Sequence, residues 1–115
     1  MDSVVSRRLL ALVGLGVRGR GAVVGVQQVR DAAKRGKLHL AIAAPDASSN
    51  SLDKVVPLLR GRGVDVFEGP PASELGGAAG RETTAVIGIV DKNLAKGIRA
   101  LSLTLLPEGR KEELD

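Results

Sequence analysis

The chain contains no cysteine, no tryptophan and no tyrosine, and Phe67 is its only aromatic residue. Without cysteine, disulfides and thiol nucleophiles are excluded, and His39, the single histidine, would be the only nitrogen ligand open to a zinc ion. Neither a metal nor any other cofactor is expected. The shortage of rings excludes RNA-binding sheets and oligonucleotide barrels that stack bases on Phe, Tyr or Trp. Contact with nucleic acid, if made, must come from polar side chains, backbone groups and aliphatic surface. Long hydrophobic runs are missing as well. No stretch approaches the ~20 apolar residues of a membrane span, and Leu9 to Val13 has no small-residue cleavage site after it. A cytoplasmic protein without a membrane partner is the expectation.

What is present is an ordinary globular balance. The 115 residues, 43% hydrophobic and 26% charged, suffice for one domain with a modest core. They are too few for a dinucleotide fold built of two halves. Charge is unevenly spread. The net is +4, yet residues 1–40 carry Arg7, Arg8, Arg18, Arg20, Arg30, Lys34, Arg35 and Lys37 against only Asp2 and Asp31. A positive first third suits a polyanion partner. The plainer reading is a solvated basic face, and composition does not decide between them.

Apolar spacing at Val5, Leu9, Leu12 and at Leu10, Val13, Val17 predicts a helix over residues 3–17. Val26, Val29 and Ala33 predict a second, ending at Gly36 after the basic pair Lys34 and Arg35. LHLAIAA reads as a buried strand and APDASSN as a loop. Leu52, Val55, Val56 and Leu59 fit a helix, with Asn50 and Asp53 resembling a capping box. Pro57 is expected to interrupt that helix or to begin its regular part. VDVF is a further strand; Ser73 is placed to cap a short helix through Ala79; AVIGIV is the most apolar strand; Asp91 caps a last helix carrying Leu94, Ile98 and Leu101. Strands are expected near 38–43, 64–67 and 85–90. Alternating helices and strands in one small unit imply an α/β fold, a three-layer α/β/α sandwich. One domain is expected over residues 1–102, with 103–115 a frayed tail.

Gly14, Gly16 and Gly19 spell G-x-G-x-x-G, but a dinucleotide site needs a strand before the first glycine and an acid about 20 residues on. Here a helix precedes, and Asp31 comes too early. Gly16-Val17-Arg18-Gly19 also matches the G-x-x-G that clamps RNA in KH domains, a pattern glycine-rich turns meet easily.

A longer match is more specific. LVGLGVRGRGAVVG, VRDAAKRGKLHLAIAAPDASSN, VPLLRGRGVDVFEGPPASELGGAAG and AVIGIVDKNLAKGI resemble, in order, the segments of bacterial YlxQ-like proteins, members of the kink-turn RNA-binding family that includes the archaeal ribosomal protein L-seven-Ae. The resemblance spans roughly residues 5–102. It implies a mixed four-stranded sheet, ribosomal L-thirty-e-like, and a non-enzymatic protein, monomeric, with no catalytic residues. The opening glycines then form the turn between the first helix and a short edge strand expected near residues 22–24. The implied partner is structured RNA with a kinked internal loop, in ribosomal RNA or on the ribosome. The implied contacts are Gly25, Gln27, Gln28, Arg30, Lys34 and Lys37, then Ala44, Pro45, Asp46 and Ala47, then Gly80, Arg81, Glu82 and Thr83. Each has a simpler reading: exposed helix residues for Gln27 and Gln28, a cap for Asp46, a helix C-terminus for Gly80. Archaeal members carry Asn-Glu in place of Gln27-Gln28, and Lys in place of Asp31. An acid at position 31 repels phosphate. The alternative is a protein-interaction module of the same fold that does not bind RNA. His39 reads as an outward strand residue, since no Ser, Cys or acid pair accompanies it.

Overall fold

In the computed structural model, residues 1–107 are described. The elements run α1 (Ser3–Arg18), β1 (Ala22–Val24), α2 (Gly25–Lys34), β2 (Leu40–Ala43), α3 (Ser49–Gly61), β3 (Asp65–Glu68), α4 (Ala72–Ala78), β4 (Val86–Ile89) and α5 (Lys92–Arg99). The four strands form one mixed sheet in the order β1-β4-β2-β3. β4 is antiparallel to β1 and β2, and β2 is parallel to β3. This is the α/β architecture expected, and each strand falls within a residue or two of its anticipated place.

The two-residue period of the strands divides the core. Ala22, Val24, Leu40, Ile42, Ile87 and Ile89 face α1, α4 and α5. Their alternates Ala41, Ala43, Val66 and Val86 face α2 and α3. Bulk is uneven between the layers. On the α2 side a Cβ at Gly88 would lie 2.7 Å from Leu38 and 3.2 Å from Val29, so that helix sits close to the sheet. Fully burying chains such as Leu9, Leu40, Ile87 and Ile98 contributes roughly 1.5–3 kcal/mol each.

Several local details differ from expectation. Gly14 and Gly16 lie inside α1 rather than in the turn that follows it. A Cβ on Gly16 would sit 2.4 Å from Leu94, and one on Gly14 would sit 3.4 Å from the Ala78 carbonyl. Both glycines let α5 and α4 approach α1. The turn itself is made by Arg20, at φ 64, with Gly21 N–H donating to the Gly16 carbonyl at 2.7 Å. α3 is capped by Ser48, whose hydroxyl accepts from Ser51 N–H, not by Asn50. The helix also runs through Pro57, which is exposed and has no N–H to offer the Asp53 carbonyl one turn before it. Ser73 lies within α4 and makes no cap; Asp91 caps α5 as anticipated, accepting from Leu94 N–H at 2.7 Å.

The frayed tail expected from Leu103 is corrected for residues 103–107, which run beside β3. Glu68 N–H donates to the Thr104 carbonyl at 2.7 Å, Leu106 N–H donates to the Val66 carbonyl at 2.8 Å, and Phe67 pairs antiparallel with Leu105. Arg60 holds the Leu106 and Pro107 carbonyls. The rest of that segment, 108–115, lies outside the described residues.

Candidate nucleic-acid interface

The register fixes which anticipated contacts meet. Val24 pairs with Ile87, and Ala43 pairs with both Val86 and Glu68. The ends of β1, β2 and β3 and the beginning of β4 therefore lie along one end of the sheet. From that end project the start of α2, the loop 44–47 and the loop 80–83. Three segments separated by up to some sixty residues of chain become neighbours.

At the start of α2, Gly25 takes φ +91, a left-handed conformation that a side chain resists. No atom lies within 4 Å of the place its Cβ would occupy, so open space and not crowding surrounds it. Gln28 turns back along the helix, and its Oε1 accepts from Val24 N–H at 2.9 Å. That bond fixes the amide orientation, because an N–H can only meet the carbonyl oxygen. The Gln28 Nε2 is left as two donors at an exposed position. Gln27 does the reverse, its Nε2 donating to Asp31 Oδ1 at 3.0 Å, which frees its oxygen and gives Asp31 a neutral neighbour. Arg30 donates to the Lys54 carbonyl of α3. Lys34 and Lys37 are exposed but not gathered here; Lys34 stands at the far end of α2, about 13 Å along its axis from Gly25.

The loop 44–47 is built as a buried anchor with an exposed tip. Ala44 is fully buried, so its side chain belongs to the core, and its N–H donates to the Ala85 carbonyl at 2.8 Å. Pro45 and Asp46 are exposed and Ala47 is half-buried. Asp46 Oδ1 accepts from Ala72 N–H at 2.8 Å, so this carboxylate caps α4 from across the sheet.

α4 ends in a Schellman turn: Gly80 takes φ +76, its N–H donates to the Gly77 carbonyl, and Arg81 N–H donates to the Gly76 carbonyl at 2.7 Å. The simple helix-end reading of Gly80 is thus realised, and it serves to turn Arg81, Glu82 and Thr83 into solvent. Sequence reasoning passed over Gly76, where a Cβ would lie 2.5 Å from Thr83 Cα. The absence of that Cβ lets the loop fold against α4. The signal was present in the Gly76-Gly77 pair, but its meaning depends on a contact only the fold supplies. Behind the loop, buried Thr84 donates its hydroxyl to the Val86 carbonyl at 3.3 Å.

Beside this end opens a groove of about 540 Å³, lined by Arg7, Pro45, Glu68, Pro71 and Glu74 among others. Two carboxylates against one guanidinium make it a poor phosphate pocket. His39 is exposed just before β2, with its N–H donating to the Ile89 carbonyl and its own carbonyl accepting from Arg99. Among the described residues no group of His, Asp and Glu side chains could hold a metal ion. No helix among them is long and apolar enough to cross a membrane.

Residues 8–98 match the model of the Ribosomal protein L7Ae/L30e/S12e/Gadd45 family, and the chain belongs to that family. Among solved structures it resembles a protein of unknown function from Bacillus halodurans, at 28% identity and a TM-score of 0.73, over 80% of this chain and 93% of that one. It also resembles the 15.5 kD RNA-binding protein of Giardia lamblia, at 23% identity and a TM-score of 0.74, over 87% and 86% of the two chains; this second likeness is one of fold. None of the curated proteins compared with it matches.

Proposed function

We propose that this chain binds structured RNA at a kinked internal loop, as a cytoplasmic, non-enzymatic and monomeric component of the translation apparatus, and that within its family it stands with the bacterial YlxQ-like proteins. The observation that carries the reading is the meeting of Gly25, Gln27 and Gln28 with the loops 44–47 and 80–83 at one end of the sheet. A regular RNA major groove is too deep and narrow for side chains, and a kink opens it. There the free Gln28 Nε2 offers two donors, which suit the N7 and O6 acceptors of guanine. Open space at Gly25 admits an RNA backbone, and the amides of the first turn of α2 face it. Pro45, Ala47 and Thr83 offer small surfaces to an unstacked base. Arg81 is the cation beside the site, while Arg30 keeps most of its five N–H donors for phosphate. The test is a gel shift with a kink-turn RNA and a straight duplex of equal length. Preference for the kinked RNA is expected; equal or absent binding overturns the proposal. Asp31 favours the second reading, an interaction module without RNA, because its carboxylate stands one turn from Gln27.

A further inference from the structure

α1 carries two faces. Leu9, Val13 and Gly16 are buried against the sheet and α5. On the opposite side, at about 100° per residue, Ala11, Val4 and Leu15 fall within about 40° of one another. Arg7 and Arg18 flank this seam on one side and Arg8 flanks it on the other. Val4 is 44% exposed and Leu15 is 58% exposed, and with Met1 they are three of the four exposed large hydrophobic residues among the described ones. No Asp or Glu occurs within α1, and Asp2 is spent on capping it through Val4 N–H at 2.7 Å. Arg7, Arg8 and Arg18 make no ion pair among the described residues.

We propose that the outer face of α1 is a docking surface for an amphipathic protein helix whose apolar seam is edged by Asp and Glu. An apolar centre with cations along both margins is the complement of such a helix: the seam gives burial, and the flanking charges give orientation and partner choice. The same arrangement disfavours other occupants. A second copy placed seam to seam would set arginine against arginine. A phosphate backbone would leave Val4, Ala11 and Leu15 without a use, and a narrow seam of three side chains with no Phe or Trp is small for a lipid surface. Arg7 also lines the groove beside Pro45, but Val4, Arg8, Ala11 and Leu15 are not among the residues assigned to that end of the sheet, so substitutions at Arg8 and Leu15 test the inference whether or not that end binds RNA.

The experiment uses fluorescence anisotropy on the full chain. The probe is a labelled three-heptad helical peptide with a Leu and Ala seam and Glu at both margins; a Lys-margined peptide, a straight RNA duplex and vesicles of anionic phospholipid are the comparison arms. The Glu-margined peptide should bind, more weakly as salt rises, and the affinity should fall about tenfold in Arg8→Glu and in Leu15→Ser. Both positions are exposed, so circular dichroism should show an unchanged fold. Failure of that peptide to bind, or binding indifferent to both substitutions, overturns the proposal. Binding of duplex RNA or of vesicles that the same substitutions abolish also overturns it, and assigns the face to that partner. Kink-turn binding that persists in both variants keeps this test separate from that of the α2 end.

Discussion

Asp46 Oδ1 lies 2.8 Å from Ala72 N, so the carboxylate of the β2–α3 loop caps the first turn of α4. Loop and helix are one unit at the end of the sheet. Asp46→Ala should cost about 1 kcal/mol, the usual loss for an N-terminal cap, whereas Asp46→Asn keeps an accepting oxygen and should cost a few tenths. Urea denaturation of the two variants checks the difference.

Gly76 and Gly77 are adjacent but should respond oppositely to alanine. At Gly76 the new Cβ meets the Thr83 backbone at 2.5 Å, while at Gly77 nothing lies within 4 Å. Gly76→Ala should destabilise by about 1–3 kcal/mol through overpacking. Gly77→Ala should stabilise by about 0.5–1 kcal/mol through helix propensity. Thermal melts suffice, and a similar sign at both positions would refute the account of the loop 80–83.

Gln28 does two jobs with two ends of one amide. Gln28→Glu keeps an oxygen for Val24 N–H but loses both donors, so stability should hold while affinity for kink-turn RNA falls by about 1–3 kcal/mol. Gln28→Ala should lose both. Binding isotherms beside denaturation curves separate the two roles.

Asp31→Lys should tighten RNA binding and steepen its salt dependence by about one unit, as expected when one more cation meets phosphate. The substitution also releases Gln27 Nε2. An unchanged salt slope would mean that this turn of α2 is away from the RNA.

Arg20 occupies, at φ 64, the helix-ending position that Gly36, Gly63 and Gly80 fill in α2, α3 and α4. Arg20→Gly should therefore stabilise by about 0.5–1 kcal/mol, relief of the left-handed strain exceeding the added chain entropy. A calorimetric melt measures it.

Much of this architecture was legible because its causes are local. LHLAIAA and AVIGIV show their strands through period-two bulk, and Asp91 shows its cap through its place before an apolar stripe. The misplaced details share a different origin. Gly14 and Gly16 look like turn residues in sequence, yet α4 and α5 need their bareness inside a helix. Asp46 reads as a local cap, but its partner is 26 residues away. Leu103–Pro107 is short and runs into a polar end that begins at Pro107, and only the neighbouring Val66 carbonyl and Glu68 amide make it a paired segment. For the proposed site, the sequence offers residue types but not the state of their side chains. That Gln28 presents donors alone, and that Ala44 is buried, depend on Val24 and the core.

The segment 103–107 changes what the outside of the sheet can do in a crowded solution. In the order β1-β4-β2-β3 the two margins are β1 and β3. β1 offers only three residues, too short a rail for a foreign strand, and the outer side of β3 already has its amide and carbonyl groups engaged by Thr104 and Leu106. Among the described residues, neither margin offers a long unpaired rail for intermolecular β-pairing, the usual opening step of aggregation.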